Sequence, residues 1–279
     1  MRIVLGTLLA AALVALGASV PASPAHAGGV PPLPTSPDGD LPGANNWSCK
    51  PTQAHPEPVV LVHGTFGDRK HLLEKLSQTV HDNGFCVFSL DYGNRGIEDI
   101  ATSAQTLKTF VDKVLAATGA QKVSMVGHSQ GGMMPRYYIK FLGGKPKVDD
   151  LVGLVPSNHG TGDTGPDNPI TGPLLQMLCP ACLQQSAGSA FLTKLNAGDE
   201  TPGKVSYTQI TTRYDEVVTP YLSAYLAPGP RTTNITLQDL CPSDLSEHVT
   251  IPTDSVAIQI VMNALTRKGP ADSAFHPVC

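Results

Sequence analysis

Short runs rich in apolar and β-branched residues recur along the chain, each bounded by Pro, Gly or polar residues. Runs of this kind predict strands that are buried on both faces of a sheet. The predicted strands are Pro58–Val62, Cys86–Leu90, Lys122–Val126, Leu151–Val155, Lys204–Ile210 and Thr233–Leu237.

The segments between these runs carry apolar residues at helical spacing. The predicted helices cover Leu72–Val80, Ile100–Leu115, a segment that begins at Gln130, and Val256–Leu265. Strands that alternate with helices of this length predict an α/β fold, in which a mostly parallel central sheet is flanked by helices on both faces.

One stretch interrupts this alternation. Residues 156–201 are rich in Gly, Pro and Asn, contain no clear strand and hold one apolar island, Pro173–Leu178. A long irregular insertion in a compact domain is usually functional, so we expect a lid or a binding wall to which Leu174, Leu175 and Leu178 contribute. A plain loop that covers the core is the alternative.

The N-terminal 27 residues have the pattern of a secretory signal peptide. Arg2 precedes the apolar run Ile3–Val20, and Ala25 and Ala27 form an Ala-x-Ala site. A membrane anchor is the alternative, because the run is near the lower length limit for a membrane span. We expect cleavage near Ala27, secretion, a flexible Pro/Gly-rich leader over residues 28–46, and a single catalytic domain over 47–279.

Composition excludes several classes of partner. Charged residues make up 15% of the chain and the formal net charge is −4. Because the sequence has no run of Lys and Arg, we do not expect it to bind nucleic acid. The rest of the sequence has no second apolar stretch long enough for stable membrane insertion. We expect the mature protein to be a soluble monomer.

The chain contains six cysteines, all of them after the predicted cleavage site. An even number in an exported chain implies three disulfides, although six cysteines allow 15 pairings. Cys179 and Cys182 form a C-x-x-C motif that is either a local disulfide or a redox pair. A zinc site is not favoured, because no second C-x-x-C accompanies the first.

Candidate chemistry begins at Gly127–Gly131, which matches the pattern G-x-S-x-G around Ser129. A predicted strand enters this pentad and a predicted helix leaves it. This context is typical of a sharp turn that projects a nucleophilic serine above a sheet. The alternative is an ordinary glycine turn.

A serine nucleophile needs a base and an acid that orients the base, and in elbow-type enzymes the acid precedes the base in the chain. Asp215 follows the fifth predicted strand, and we prefer it to the adjacent Glu216. His248 follows the sixth, and we prefer it to His159 in the insertion and to His276 near the C-terminus. Asp163 and Asp167 are interpreted as solvated loop carboxylates.

The oxyanion of an acyl-transfer intermediate needs hydrogen-bond donors. One donor is expected to be the backbone N–H of Gln130, which follows the nucleophile. The other is expected in the loop His63–Gly67 after the first strand, where we choose the N–H of Thr65, whose hydroxyl is a further candidate. His63 is expected to support this loop by hydrogen bonding.

The segments Pro58–Thr65 and Gly127–Gly132 resemble those of secreted bacterial lipases of the α/β-hydrolase superfamily. The local sequence is also similar to the Candida antarctica lipase B type, as are Gln184–Ala190 and Tyr214–Val218. The resemblance implies an α/β-hydrolase fold. One departure is His128, which occupies a position where the yeast enzyme has tryptophan.

The resemblance also implies roles for individual residues. They are Ser129, Asp215 and His248 as the triad, Thr65 and Gln130 as oxyanion donors, Gln185 and Val217 as pocket residues, and the disulfides Cys49–Cys86, Cys179–Cys182 and Cys241–Cys279. Phe66, next to Thr65, is expected to border the same pocket.

The sequence therefore predicts a secreted serine carboxylic-ester hydrolase, either a triacylglycerol lipase or an esterase, that acts on ester or lipid substrates, in some cases at a lipid–water interface. No metal or organic cofactor is required for this chemistry. A polyester hydrolase or an acyltransferase on the same fold is an alternative. More distant alternatives are a thiol–disulfide protein that uses Cys179 and Cys182, and a hydrolase-fold binding protein without activity.

Overall fold

The computed structural model describes residues 39–162 and 177–279. The predicted signal peptide, most of the predicted leader, and residues 163–176 with Asp163, Asp167, Leu174 and Leu175 lie outside the described residues. Among the described residues, no helix has the length and apolar character needed to cross a membrane.

The strands of the described residues form one parallel sheet. In chain order they are β1 Val59–Val62, β2 Val87–Leu90, β3 Val123–His128, β4 Val148–Leu154, β5 Ser206–Thr211 and β6 Thr232–Thr236. Their spatial order is β2-β1-β3-β4-β5-β6, and every neighbouring pair is parallel. The carboxyl ends of all these strands therefore meet at one edge of the sheet.

Helices connect the strands. They are α1 Glu74–Asp82, α2 Ile100–Thr118, α3 Gln130–Phe141, α4 Pro180–Gln184, α5 Ala190–Asn196, α6 Leu237–Leu240 and α7 Ser255–Leu265. The tight turn Gly93–Gly96 and the 3₁₀ turns Tyr221–Ala224 and Ile251–Thr253 complete the connections. This arrangement confirms the predicted fold class.

The core has two parts, one on each face of the sheet. Along β1, Val60 and Val62 pack into the cluster formed with α2 and α3, whereas Val59 and Leu61 pack into the cluster formed with α1 and α7. Successive side chains of a strand point to opposite faces. A strand covered on both faces must therefore be apolar at every position, which explains the continuous run Val59–Val62.

The observed bounds differ from the predicted ones in several places. β3 continues to His128 rather than ending at Val126, and β5 begins at Ser206 rather than at Lys204. β4 begins at Val148 rather than at Leu151, so the strand includes Asp149 and Asp150. Part of the predicted flexible leader is fixed on β2: Asn45 donates its backbone N–H to Val87 O, and its side chain exchanges two hydrogen bonds with the backbone of Ser89. The folded unit therefore begins before residue 47.

The three disulfides of the structure are Cys49–Cys86, Cys179–Cys182 and Cys241–Cys279, and these are the pairs that the resemblance implies. Cys49–Cys86 fixes the N-terminal segment beside β2, and Cys241–Cys279 fixes the C-terminus after α6. In the described end of the insertion, Cys179–Cys182 spans the first turn of α4. Each bridge thus ties an irregular segment to the sheet or to a short helix.

Candidate active site

Ser129 lies in the turn between the last residue of β3 and the first residue of α3, at the carboxyl edge of the sheet. Its backbone has φ 55° and ψ −124°, a strained conformation for a residue with a side chain. A Cβ at Gly131 would lie 2.2 Å from Val62 O, and one at Gly127 would lie 1.8 Å from Gly131 O. The two glycines of the pentad are therefore required by close backbone packing around the turn.

Asp215 and His248 meet in the same region, after β5 and after α6. His248 Nδ1 lies 2.9 Å and 3.1 Å from the two carboxylate oxygens of Asp215. Asp215 Oδ1 also accepts the backbone N–H groups of Val217 and Val218 at 2.9 Å and 2.8 Å. Both side chains are buried, at 6% and 4% exposure for the two residues. These bonds fix the carboxylate. Because a carboxylate oxygen accepts hydrogen bonds, Nδ1 of His248 carries the proton and donates it to Asp215.

The loops that carry the acid and the base are linked behind this pair. Thr212 donates its hydroxyl to Ser246 O at 2.6 Å. The amide of Gln238, which is 5% exposed, donates to Thr212 Oγ1 and to Asp244 O. Gln238 was not predicted from the sequence, because its partners lie in two other loops and only the three-dimensional structure brings them together.

Ser129 and His248 line one cavity, but the hydrogen bonds of the described residues do not include one between Ser129 Oγ and His248 Nε2. Hydrogen bonds of catalytic groups are often long or poorly aligned without substrate and tighten in the complex. The two side chains thus border the same cavity at the elbow.

The loop after β1 leaves at least one backbone N–H free near Ser129. Phe66 donates its N–H to Arg95 O at 2.7 Å, and Gly67 donates its N–H to Gly64 O at 3.0 Å. The N–H of Thr65 has no acceptor among the described residues. Gln130 is the first residue of α3, and its N–H has no acceptor within the helix. Thr65 and Gln130 therefore each have a backbone N–H that is available to an external acceptor.

Arg95 holds this loop from the outside. Its guanidinium donates to Phe66 O at 2.6 Å and to Gly67 O at 3.3 Å, and it lies 3.7 Å from the buried carboxylate of Asp68. Arg95 has φ 61° and Phe66 has φ 63°, so both sides of the contact are in the left-handed region. Only the structure shows this role.

His63 supports the same loop from below, as predicted. Its Nδ1 donates to Gly64 O at 2.7 Å and its ring stacks on Tyr92, whose hydroxyl donates to His63 O. Burial lowers the pKa of His63 below its ordinary value, which keeps the ring neutral. The ring is fully buried and is not positioned to contact a substrate.

The side chains of the two donor residues are bonded to each other. Thr65 donates its hydroxyl to Gln130 Oε1 at 2.6 Å, so that the hydroxyl is already engaged in this structure. Gln185 Nε2 donates to both oxygens, and Gln185 Oε1 accepts the hydroxyl of Ser157 at 2.8 Å. Gln185 lines the cavity at Ser129, as predicted, and is only 8% exposed because its amide is engaged with Thr65 and Gln130.

A cavity of about 720 Å³ opens at this site, and its wall is mainly apolar. Phe66, Val217 and Val249 line it and are each about half exposed, at 56%, 47% and 51%. Leu178 is 38% exposed but does not line the cavity. Leu72, Thr161 and the disulfide residue Cys182 also border it and were not predicted.

The rejected candidates lie in other surroundings. His159 Nε2 pairs with Glu200 at 3.0 Å, away from Asp215. Glu216 lines the cavity, but it is Asp215 that contacts His248. His276 lies in the C-terminal segment after α7. The described residues contain no group of three or more His, Cys, Asp or Glu side chains able to hold a metal ion.

Comparison with known proteins adds independent evidence. Residues 56–261 match the family described as Lipase (class 2). The chain is 36% identical over 92 residues to a triacylglycerol lipase of Pseudarthrobacter phenanthrenivorans, which covers 29% of this chain and 27% of that protein. It is 28% identical over 194 residues to lipase B of Pseudozyma antarctica, and this match covers 65% of this chain and 54% of that protein. The chain thus spans about half or less of the length of these relatives.

Solved structures share the fold. Aspergillus fumigatus lipase B superposes with a TM-score of 0.69 at 21% identity, over 84% of this chain and 57% of that one. A mature Bacillus licheniformis lipase superposes with a TM-score of 0.59 at 17% identity, over 78% of this chain and 94% of that one. These similarities show the α/β-hydrolase fold.

Proposed function

The chain belongs to the class 2 lipase family, and from this premise we propose that it is a serine carboxylic-ester hydrolase, a lipase or an esterase. Ser129 is the nucleophile, His248 the base and Asp215 the acid that orients it. The observation that carries the proposal is the buried bond between His248 Nδ1 and Asp215, at 2.9 Å, in the cavity that Ser129 lines.

The proposed reaction begins with acylation of the serine. Ser129 Oγ attacks the ester carbonyl carbon while His248 Nε2 takes the hydroxyl proton, and Asp215 stabilises the imidazolium that forms. The carbonyl oxygen becomes an oxyanion, to which Thr65 and Gln130 donate their backbone N–H groups. His248 then returns the proton to the leaving alkoxide, and the acyl group remains on Ser129.

Deacylation repeats these steps with water. His248 removes a proton from the water as its oxygen attacks the acyl carbonyl, and the same N–H groups hold the second oxyanion. Collapse of this intermediate releases a carboxylic acid and returns the proton to Ser129 Oγ. The chain's own residues supply each proton transfer.

The cavity favours an ester with an apolar acyl group. Phe66, Val217 and Val249 give the mouth a partly exposed apolar rim, and Leu72 and Val218 extend the apolar wall inside. Removing such surfaces from water is favourable by about 25 cal/mol per Å². A lipid or other apolar ester would therefore gain binding energy from both the rim and the wall.

Ser129→Ala tests the chemistry. We expect it to lower kcat on p-nitrophenyl butyrate by at least about a thousandfold, because the residual activity of a triad without its nucleophile is small. Ser273→Ala removes a hydroxyl from an exposed residue outside the cavity and serves as the control. Undiminished turnover by Ser129→Ala would refute the proposal, as would the absence of Ser129 labelling by an organophosphonate in the native protein.

The substrate class is tested separately. We expect tributyrin and p-nitrophenyl esters of increasing acyl length to be hydrolysed. Higher rates on a polyester film, or preferred transfer to an added alcohol, would instead indicate the polyester hydrolase or acyltransferase alternatives. Loss of turnover in Ser129→Ala with all of these substrates would assign them to one site.

We also propose that the protein acts outside the cytoplasm. Three disulfides and no free cysteine among the described residues suit an oxidising compartment. Cys179 is 4% exposed and its Sγ accepts the N–H of Cys182, which favours a structural bridge over a redox pair. Thiol titration of the native protein tests this: a reactive thiol pair would contradict it.

A further inference from the structure

His128 borders the cavity next to the proposed base. It is the last residue of β3, directly before Ser129, and is 4% exposed. Its Nε2 lies 2.8 Å from the backbone oxygen of His248, and the two imidazole rings are 4.9 Å apart. Because a carbonyl oxygen can only accept a hydrogen bond, Nε2 carries the proton and donates it. The residue before the nucleophile thus holds the backbone of the base.

The other side of the ring faces the oxyanion loop. A Cβ placed on Gly64 would lie 3.0 Å from His128 Nδ1, so the ring edge is packed against the backbone that leads to Thr65. Nδ1 is buried and has no hydrogen-bond partner among the described residues. The ring therefore occupies the gap between the loop of Gly64 and the loop of His248, with its bonding atom directed toward the base.

The base loop needs such support. His248 lies between α6 and the 3₁₀ turn Ile251–Thr253, outside any helix or strand, and its neighbours Leu245 and Val249 are 73% and 51% exposed. Asp215 holds the imidazole at Nδ1, and Thr212 and Gln238 hold the loop at Ser246 O and Asp244 O, which precede His248. The bond from His128 fixes the backbone of His248 itself.

The ring of His128 is neutral. Burial is the main cause that lowers its pKa, and with the smaller contribution of the neighbouring His248 the pKa is about 3. A neutral ring keeps the Nε2–H directed at His248 O across the neutral pH range. It also avoids placing a second positive charge beside the imidazolium that His248 becomes during the reaction.

We propose that His128 is a positioning residue for the reaction: the hydrogen bond from its Nε2 to His248 O sets the distance of the base from Ser129. The inference rests on the proposed triad. It gives a role to the polar, hydrogen-bonding residue at the buried position beside the nucleophile.

A matched pair of variants isolates the hydrogen bond. In His128→Gln the amide nitrogen can reach the position of Nε2 and donate to His248 O, whereas His128→Met has a similar volume and no donor. We expect His128→Met to lower kcat on p-nitrophenyl butyrate by about 10- to 100-fold with little change in KM, because misplacement of a catalytic group is costly. We expect His128→Gln to stay within about threefold of the native enzyme.

A spectroscopic readout separates positioning from general structural damage. The proton that His248 Nδ1 shares with Asp215 gives a downfield NMR resonance when the pair is held. We expect this resonance to persist in His128→Gln and to broaden or shift in His128→Met, at temperatures where both variants are folded by circular dichroism.

Two results would overturn the inference. The first is a His128→Met enzyme that keeps kcat within about twofold of native; the second is equal impairment of His128→Gln and His128→Met. If His128→Met does not fold, His128→Asn replaces it, because its shorter amide cannot reach His248 O. Equal kcat for the Asn and Gln variants would then contradict the proposal.

Failure of the inference is distinguishable from failure of the proposed function. An inactive Ser129→Ala with a fully active His128→Met would leave the triad intact and remove only the positioning role. An active Ser129→Ala would remove the triad and, with it, the basis of the inference.

Discussion

Gln185 Nε2 lies 3.0 Å from Thr65 Oγ1, and this bond joins two residues that are 120 positions apart in the sequence. The same amide lies 3.1 Å from Gln130 Oε1. The two residues proposed to hold the oxyanion through their backbones are therefore held to each other through their side chains. Gln185 anchors them to the segment after β4 through Ser157.

We expect Gln185→Met to lower kcat by about tenfold. The change keeps the side-chain length but removes both amide donors, and the loss of hydrogen bonds to polar groups costs about 1–3 kcal/mol. Because the affected groups act on the oxyanion, KM should change little. Steady-state kinetics on p-nitrophenyl butyrate measures this. Gln121→Met, the same change at an exposed position, is the control, and an equal kcat for both variants would contradict the network's role.

Arg95→Met tests the outer support of the oxyanion loop. Loss of the guanidinium removes the donors to Phe66 O and Gly67 O, so the loop should move and kcat should fall by about tenfold. Arg69→Met is the control, because Arg69 lies near the same loop but its side chain pairs with Asp40 and Asp91. If both substitutions reduced kcat by the same factor, general loss of charge near the loop would be the explanation.

The sequence predicted the elements that depend on local patterns. β1 ends at the predicted Val62 and begins one residue after the predicted Pro58, and the turn at Ser129 lies between a strand and a helix as predicted. The acid and the base were selected from spacing and chain order and remain predictions. β4 was predicted too short, because Asp149 and Asp150 interrupt the apolar pattern that marks a buried strand.

Contacts between distant segments could not be predicted. Gln185, Gln238 and Arg95 act through partners in other loops, and nothing in their local sequence identifies those partners. The fixation of Asn45 on β2 was missed for the same reason, since a Pro- and Gly-rich composition predicts flexibility and carries no information on tertiary hydrogen bonds.

Asp150 provides a stability prediction. It is 4% exposed, its Oδ1 has no partner among the described residues, and burial raises its pKa from 3.8 to about 7. A carboxyl group with a raised pKa binds its proton more tightly in the folded state, so stability falls as the pH rises from about 4 to 7.

We therefore expect Asp150→Asn to be about as stable as the native protein at pH 4 and more stable at pH 8, by up to a few kcal/mol. Asn retains an oxygen that can accept the hydroxyl of Ser124. Urea midpoints at the two pH values measure the difference. A constant difference between native and variant protein at both pH values would show that the proton on Asp150 is not the cause.

His159 and Glu200 predict a pH effect that is largest under mildly acidic conditions. His159 Nε2 lies 3.0 Å from Glu200 Oε1. The hydrogen bond to Glu200 is the main cause that raises the pKa of His159 above 6.5. Burial alone would raise the pKa of Glu200. The hydrogen bonds from His159 and from the N–H of Ala227 outweigh burial and bring that pKa below 4.5.

The sign of each contribution follows from these directions. The stability that His159 contributes is fully present below pH 6.5 and is lost as the pH rises through its folded pKa. The stability that Glu200 contributes is present above pH 4.5 and is lost as the pH falls through its folded pKa. His159→Gln should therefore reduce stability more at pH 5.5 than at pH 8.5. Because His159 is 39% exposed, solvent screens the pair, and we expect a difference of about 0.2–1 kcal/mol that 1 M NaCl diminishes. Urea unfolding of both proteins at the two pH values measures it, and a larger loss at pH 8.5 would mean that the pair does not stabilise the fold by its charge.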